Sequence, residues 1–499
     1  MIRIGLCRTK TDSSGAFSMA YKDLQEFLKL LEKKGELKRI AAPLAPYLEI
    51  AEVTDRVSKA VGPALLFEKP KDARFPVLTN MYGSYPRMHL ALECDDLDAL
   101  GRRIDAVLEM EKPEGLIDKL KLLPKLAKMA GIFPKTVSTG RCQDVVLTGD
   151  AVDLSILPVL TTWPGDAGPF ITLPVVITKD PVTGKRNVGM YRMQVYDKNT
   201  TGMHWHRHKG GAHHHALSKK SGERLPVAVA LGPDPACTYA ATAPLPDDID
   251  EFLFAGFLRQ APVELVRCKT VDLEVPASSQ FVLEGYVEPG ELRWEGPFGD
   301  HTGYYSLADD YPVFHVTALT HRGDAIYPAT LVGPPPMEDS YIGKATERLF
   351  LPLIKKQLPE VVDMSLPLEG VFHNFCFVSI DKRYPGHTRK IMYAIWGLGQ
   401  MMFTKFIVVV DANVNVHNTA EVLWRLGNNV DPSRDVVIVD GPLDVLDHAA
   451  PLPCYGGKMG IDATKKGPED GHMRDWPDSL TMSADVKAHI DALWGELGL

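Results

Sequence analysis

Between residues 144 and 325 the chain repeats one pattern, in which a short run rich in β-branched and aromatic residues is followed by a group of turn residues. Runs of this length and spacing predict many short strands. Such strands favour a barrel-like or sandwich-like domain. The runs lie at 145–147, 171–177, 190–196, 227–230, 263–268, 281–287 and 313–319. Glu251–Arg259 is the main predicted helix among them.

The sequence before this segment has a different texture. Residues 21–34 carry an apolar stripe at helical spacing, and 64–67 and 77–79 are short apolar runs bounded by turn residues. These features predict an N-terminal α/β domain over residues 1–120, with 1–18 as a loose extension. We expect the basic stretch 113–140 to be a helical connector.

After residue 330 predicted helices and strands alternate. The near-continuous apolar run at 406–411 (FIVVVD) is typical of a strand in a parallel sheet. This alternation predicts a C-terminal α/β domain, with an irregular stretch over 445–475. The length of 499 residues also favours three domains, which we place at 1–120, 121–330 and 331–499.

Composition excludes several classes of protein. A formal net charge of -9 without a basic tract argues against binding to nucleic acid or to anionic membranes. No apolar run approaches the roughly 18 residues of a membrane span, and the N-terminus lacks the apolar core of a secretory signal. The seven cysteines are scattered, which favours reduced thiols in a cytoplasmic protein. No dinucleotide-binding glycine motif or G-x-S-x-G serine motif is present.

A histidine-dense run suggests a metal site. His204, His206 and His208 alternate, so on a strand they would share one face, although a half-exposed strand also tolerates three histidines. Asn187 offers an amide oxygen and Glu251 a carboxylate, and this mixture suits Mn²⁺ or Mg²⁺ better than structural zinc. The histidines at 213–215 follow a glycine pair, and we expect them in a solvated loop.

A second group of residues suggests acid–base chemistry on an anionic substrate. Arg192 lies on the predicted strand 190–196, where its guanidinium could bind a carboxylate through two hydrogen bonds. Glu295 and Asp300 flank a glycine-rich turn. Two carboxyl groups in a partly dry site separate their pKa values, which can leave one of them protonated as a general acid. An ordinary salt bridge and a solvated turn are the alternatives for these residues.

Four motifs in this order resemble the UbiD family of decarboxylases. They are N-V-G-M-Y-R from residue 187, H-W-x-x-H-K-G-G from 204, D-E-F-L-F-A-G from 250, and E-G-P-F-G-D-H-T-G-Y-Y from 295. Further similarity covers nearly the whole chain from about residue 19. The resemblance implies an N-terminal α/β domain, a central split β-barrel like that of flavin reductases, and a C-terminal α/β oligomerisation domain.

The resemblance also implies a cofactor and roles for particular residues. The cofactor would be prenylated FMN, supplied by a flavin prenyltransferase, with Mn²⁺ and a nearby K⁺. Asn187, His204 and Glu251 match metal ligands, Asp300 matches the proton donor, and Arg192 and Glu295 complete its network. Residues that match cofactor contacts are Met190, Tyr191, Arg192, His204, Trp205, His206, Lys209 and Gly210, with Arg389 or Lys390 added less directly.

The implied reaction is a reversible, non-oxidative decarboxylation of an aromatic acid, with a 4-hydroxy-3-polyprenylbenzoate-type substrate of quinone biosynthesis expected first. A polyprenylated substrate would imply peripheral contact with a membrane, and the family implies a homo-oligomer, either a hexamer or a dimer. The histidine run departs from the ubiquinone-type pattern of arginine, leucine and serine, so a menaquinone precursor or a small aromatic or heteroaromatic acid is the alternative. A metal-dependent hydrolase built on the histidines, or a flavin-binding protein without activity, would be a different class.

Overall fold

The structure is a computed structural model, and it describes residues 21–108, 131–206, 210–246 and 249–498. The helices, α1 to α12, are Leu24–Lys33, Glu49–Lys59, Tyr85–Ala91, Leu97–Leu108, Gly210–Ser221, Pro235–Ala240, Glu251–Arg259, Glu338–Gln357, His387–Trp396, Thr419–Asn429, Pro432–Asp435 and Ala484–Leu493. The strands, β1 to β21, are Leu37–Ile40, Ala64–Phe67, Val77–Thr79, Lys135–Val137, Val145–Thr148, Phe170–Ile171, Pro174–Lys179, Arg186–Met190, Met193–Gln194, Thr200–Gly202, Leu225–Leu231, Glu264–Arg267, Glu274–Pro276, Phe281–Glu295, Asp309–His321, Tyr327–Pro328, Val361–Ser365, Phe375–Ile380, Phe406–Asp411, Val436–Pro442 and Tyr455–Asp462.

The N-terminal part packs helices against a small mixed sheet. Helix α1 begins where the Asp23 side chain accepts a hydrogen bond from the backbone N–H of Glu26, and its apolar stripe is buried. The predicted helix at 21–34 and strands at 64–67 and 77–79 are confirmed. The sheet order is β1-β2-β3-β16, so its last strand comes from a segment more than two hundred residues later. This strand ties the N-terminal part to the central one.

The central part is built on one large antiparallel sheet. Its strand order is β10-β15-β14-β11-β7-β8, and β5 pairs with the far end of β15. In the part of the chain that the structure describes, this sheet stays open and does not close into a barrel. Residues 135–137, expected to be helical, form β4 instead, because they pair with β12. Residues 113–130 of the predicted connector lie outside the described residues.

The C-terminal part contains a five-stranded sheet in the order β17-β18-β19-β21-β20. The strands β18, β19 and β21 are parallel, and β19 is the predicted run at 406–411, buried between two apolar clusters. The expectation that 445–475 is irregular was wrong at Tyr455–Asp462, which form β21. Its sequence, YGGKMGID, has little apolar character, and it is a strand because β19 and β20 pair with it on both sides.

The predicted fold class, mixed α/β and β in three parts, is confirmed. Among the helices described here, none has the length and apolar character needed to span a lipid bilayer.

Candidate active site

Arg192 lies where the chain leaves the large sheet. We predicted a continuous strand over 190–196, but β8 ends at Met190 and the next strand, β9, covers only Met193–Gln194. The interruption arises because β8 pairs with β7 in the large sheet, whereas β9 pairs with β6 in a separate two-stranded sheet. Arg192 therefore occupies the crossing between two sheets, and its side chain reaches the loop that follows β14.

The Arg192 guanidinium organises a buried network. Its Nε donates to Glu295 Oε1 at 3.1 Å, one terminal nitrogen pairs with Asp300 Oδ2, and the other donates to Ser306 Oγ at 2.9 Å. The same group lies 4.9 Å from the ring centroid of Phe298. The side chain of Arg192 is 9% exposed and that of Glu295 is 1% exposed. The cation and its carboxylates are therefore held almost out of water, where their attraction is strong.

Glu295 connects this network to the histidine run. It is the last residue of β14, and its Oε1 is 2.7 Å from Nδ1 of His204. Nε2 of His204 lies 2.7 Å from Nε2 of His206, and the His204 ring packs on Tyr311 with centroids 4.1 Å apart. Burial lowers the pKa of His204, against the opposing influence of Glu295. Both ring nitrogens of His204 are thus engaged.

The loop after Glu295 is fixed by its own backbone. Gly299 donates to Asp166 Oδ1 at 2.8 Å, and Ser306 donates its backbone N–H to the carbonyl of Phe298 at 2.8 Å. A Cβ at Gly299 would collide with the Trp163 ring, so only glycine fits there. The loop holds Asp300 at a fixed place beside Arg192.

Asp300 is ionised in this arrangement. Burial acts to raise its pKa, but the hydrogen bond from His301 and the charge of Arg192 hold the pKa of Asp300 well below its usual range. The Nδ1 of His301 lies 3.0 Å from Asp300 Oδ1, and the backbone N–H of His301 donates to the same oxygen at 2.7 Å. The Arg192 network can bind an anion and, once Asp300 acquires a proton, can deliver that proton.

A second group of polar residues lies where β8 meets the first turn of α7. Asn187 is on β8, and the carboxylate of Glu251, the first residue of α7, accepts a hydrogen bond from the backbone of Val188. Burial raises the pKa of Glu251 to about 7. Within the described residues, Glu251 Oε2 and Asn187 Nδ2 are buried without a hydrogen-bond partner. Buried polar atoms of this kind imply a missing partner.

These two residues fit a hard cation. Mn²⁺ and Mg²⁺ prefer oxygen ligands such as a carboxylate and an amide oxygen. Glu251 offers the carboxylate, and a 180° rotation of the Asn187 amide group would exchange its nitrogen for its oxygen. The contacts of the His204 ring run to Glu295, His206 and Tyr311. Ligation by His204 remains a prediction.

The first turn of helix α5 lies beside Asn187. It begins at Gly210, where a Cβ would collide with the Asn187 side chain, so glycine allows the backbone to approach. The first N–H groups of a helix bind anions. The expectation of a solvated loop at 213–215 was wrong, since these residues lie in α5, and Nδ1 of His214 is 2.8 Å from Thr178 Oγ1 in the interior.

The other predicted cofactor residues occupy varied positions. Tyr191 and Trp205 are buried, and their rings meet edge to face with centroids 6.5 Å apart, while Met190 is half-buried at the end of β8. Lys390 lies on α9 in the C-terminal part, where its ammonium pairs with Glu360. Lys209 and His208 lie outside the described residues. Their roles remain predictions.

Sequence reasoning missed several residues of the network. Ser306 and Phe298 contact Arg192, and Tyr311 packs on His204. Ser306 and Phe298 lie within or next to the E-G-P-F-G-D-H-T-G-Y-Y motif, so the motif itself was the available signal.

Comparison with known proteins identifies the family. Three family models match in chain order: the N-terminal, Rift-related and C-terminal domains of 3-octaprenyl-4-hydroxybenzoate carboxy-lyase, at residues 28–107, 135–335 and 340–463. A protein of Aquifex aeolicus described as uncharacterized is 54% identical over 96% of this chain and 99% of its own length.

Solved structures agree with this result. The vanillic acid decarboxylase of Sedimentibacter hydroxybenzoicus in its closed form is similar with a TM-score of 0.82 and 28% identity, over 96% of this chain and 100% of that one. The UbiD-class enzyme HmfF from Pelotomaculum thermopropionicum in complex with FMN has a TM-score of 0.78 and 30% identity, over 92% and 97%. An evolved dimeric form of HmfF, in complex with prFMN, has a TM-score of 0.77 and 29% identity, over 94% and 98%. The chain therefore belongs to the UbiD family of carboxy-lyases.

Proposed function

We propose that this enzyme is a non-oxidative decarboxylase of an aromatic acid that uses prenylated FMN and Mn²⁺. The buried Arg192–Glu295–Asp300 network carries the proposal, because it combines a carboxylate-binding cation with a group able to carry a proton. The complex of HmfF with prFMN, and the vanillic acid substrate of the Sedimentibacter enzyme, support this cofactor and this reaction class.

Asn187 and Glu251 would hold the metal, and the N-terminus of α5 would bind the flavin phosphate next to it. The unpartnered oxygen of Glu251 and the glycine at residue 210 support this placement. His204 would contribute to the metal only if its ring left Glu295 or His206, so we assign it first to the Arg192 network. Met190, Tyr191, Trp205, His206, Lys209 and Gly210 would line the cofactor, and Lys390 would add charge if the C-terminal part approached it.

Arg192 would orient the substrate. A guanidinium has five N–H donors, and the three contacts to Glu295, Asp300 and Ser306 leave others for a substrate carboxylate. Glu295, held on β14, would keep the guanidinium turned toward that carboxylate. When bound, the modified flavin would accept the electron density that the departing CO₂ leaves on the substrate. Asp300 would then donate a proton to the ring carbon that lost the carboxylate.

The substrate class is the finer part of the proposal. A 4-hydroxy-3-polyprenylbenzoate-type acid of quinone biosynthesis remains our first candidate, and its tail would bring the protein to a membrane surface. The vanillic acid decarboxylase relative favours a small aromatic acid as the second candidate. A homo-oligomer, a K⁺ site and supply of the cofactor by a flavin prenyltransferase belong to the same proposal.

The test is production of the protein together with a flavin prenyltransferase. We expect a bound flavin with the mass of prenylated FMN, about one equivalent of Mn²⁺ and CO₂ release from at least one acid in a panel of polyprenylated and small aromatic acids. Bound zinc without flavin would instead indicate a hydrolase, and bound flavin without CO₂ release from any acid would contradict the decarboxylase proposal.

A further inference from the structure

Asp300, the proposed proton donor, begins a row of hydrogen-bonded side chains that leads from the central part of the molecule to the C-terminal part. Asp300 Oδ1 contacts Nδ1 of His301 at 3.0 Å, and Nε2 of His301 lies 2.9 Å from Nε2 of His373. His373 lies in the loop before β18. The ring of Phe372 packs on His301 with centroids 5.2 Å apart, which fixes the plane of that imidazole.

The geometry restricts which nitrogen atoms of His301 and His373 carry a proton. Because an ionised Asp300 only accepts hydrogen bonds, Nδ1 of His301 must carry a proton. A contact of 2.9 Å between two Nε2 atoms requires one proton between them. His301 is therefore either a cation that donates to neutral His373, or a neutral ring that accepts from His373.

The surrounding charges favour the first arrangement. Asp300, Asp339 and Asp444 face His301, and together they raise its pKa although burial acts to lower it. Burial and the neighbouring His301 lower the pKa of His373 to about 4, with Asp444, Asp447 and Asp300 acting against them. Arg192 lies on the far side of Asp300. The extra proton thus resides on His301.

We propose that His301 stores the proton that Asp300 delivers, and that His373 positions His301 for this transfer. The inference rests on the proposed function. When a substrate carboxylate takes up the charge of Arg192, the Nδ1–H bond of His301 breaks and an Oδ1–H bond forms on Asp300. Asp300 becomes neutral, His301 becomes neutral and keeps its Nε2–H bond to His373, and the acid proton then passes to the product carbon. Solvent returns one proton to His301 in each turnover.

A divalent cation is the other species that could join these groups, since ligand atoms of His301, His373 and Asp444 all lie within 4.8 Å of one another. The separation of 2.9 Å between the ring nitrogens favours a proton, because nitrogen ligands about 2.0–2.1 Å from a tetrahedral zinc would lie farther apart.

The pH dependence of turnover tests the proposal in the holoenzyme. We expect kcat of the wild type to fall as pH rises through the pKa of His301. In His301→Gln, kcat should be about a hundredfold lower with little change in KM, and this alkaline fall should disappear. His373→Gln, whose amide oxygen can still accept from Nε2–H, should keep most of kcat, whereas His373→Ala should lose about tenfold. The control is His315→Gln, which removes a histidine–carboxylate pair with Glu291 far along β15.

An unchanged kcat and alkaline fall in His301→Gln, with an active wild type, would overturn this inference alone; an inactive wild type would overturn the proposed function as well. Histidine-selective ¹³C NMR provides a readout that needs no turnover. The pKa of His301 should fall by at least one unit in Asp300→Asn, and an unchanged value would contradict the proposal. If one equivalent of Zn²⁺ shifted the His301 and His373 signals together, a bound cation rather than a shared proton would join the two rings, and the proposal would be overturned.

Discussion

The two polar groups of the candidate site, one around Arg192 and one around Asn187 and Glu251, differ in how their charges are paired. Around Arg192 every charged side chain has an opposite charge within hydrogen-bonding distance; Oε1 of Glu295 contacts both Arg192 and His204, while its Oε2 is buried without a hydrogen-bond partner among the described residues. Around Asn187 a buried carboxylate oxygen and a buried amide nitrogen have no partner among the described residues. We propose that the first group positions and protonates a substrate and that the second receives a ligand. The difference gives each group its own response to mutation.

The largest expected effect is on turnover. Asp300→Asn removes the only group that we assign to proton delivery, so kcat of the holoenzyme should fall by about 10³-fold. Steady-state CO₂ release measures this change. Asp310→Asn, a change at an exposed carboxylate on β15, is the matched control and should leave kcat unchanged. Full activity in Asp300→Asn would remove Asp300 from the mechanism.

Loss of Arg192 should reveal how strongly the first group depends on its internal pairing. Arg192→Ala leaves Glu295 and Asp300 buried without the guanidinium that pairs with both, which should cost about 3–5 kcal/mol in the free energy of unfolding. Arg293→Ala breaks a half-exposed pair with Asp197 and should cost about 1 kcal/mol or less. Urea denaturation of both variants at neutral pH would measure the two losses in the free energy of unfolding. Equal costs would mean that burial does not strengthen the Arg192 network.

The second group should respond to metal. Mn²⁺ at about a hundred times its dissociation constant should stabilise the wild-type protein by about 2.7 kcal/mol. Glu251→Gln should abolish most of that gain, because it removes the carboxylate ligand. Thermal unfolding with and without Mn²⁺ measures the difference, and Glu264→Gln, at an exposed position, should behave as the wild type. A full Mn²⁺ response in Glu251→Gln would place the metal elsewhere.

Glu338 extends the comparison, because its carboxylate is buried, as is Oε2 of Glu251, but both oxygens of Glu338 have partners. The backbone N–H of Tyr82 donates to Oε1 at 2.6 Å and Thr330 donates to Oε2 at 2.7 Å. Burial raises the pKa of Glu338 from 4.5 to about 7. Its protonated form is therefore favoured in the folded state, and this contribution should be lost as pH rises from about 4.5 through 7.

We expect a loss on the order of 3 kcal/mol between these pH values. Glu338→Gln should remove it, since the amide keeps one acceptor and can donate to Thr330. Urea denaturation at pH 5 and pH 8 measures the change. If the variant retained the full pH dependence of the wild type, Glu338 would not be its source.

The sequence predicted those parts of the fold that local pattern determines. The apolar run at 406–411 and the stripe at 21–34 became β19 and α1 because burial and periodicity agree there. Prediction from sequence failed where pairing with distant segments determines the secondary structure. β21 is a strand because β19 and β20 flank it, and the break at Arg192 arises because β8 and β9 join different sheets.

The candidate site shows the same division. The motifs supplied Arg192, Glu295 and Asp300, and the structure brings them into contact. They also supplied Asn187, Glu251, whose carboxylate accepts from the backbone of Val188 next to Asn187, and His204, which lies with Glu295. No local pattern could supply His373, because its contact with His301 depends on how the C-terminal sheet packs against the loop after β14.

A crystal structure of the holoenzyme with an aromatic acid, recorded at the manganese absorption edge, tests the central claim most directly. We predict an anomalous peak bound by Glu251 and Asn187 beside the flavin phosphate at the start of α5, with the acid's carboxylate facing Arg192 and its ring carbon facing Asp300. A metal bound elsewhere, or an acid carboxylate turned away from Arg192, would contradict the assignment of the two groups.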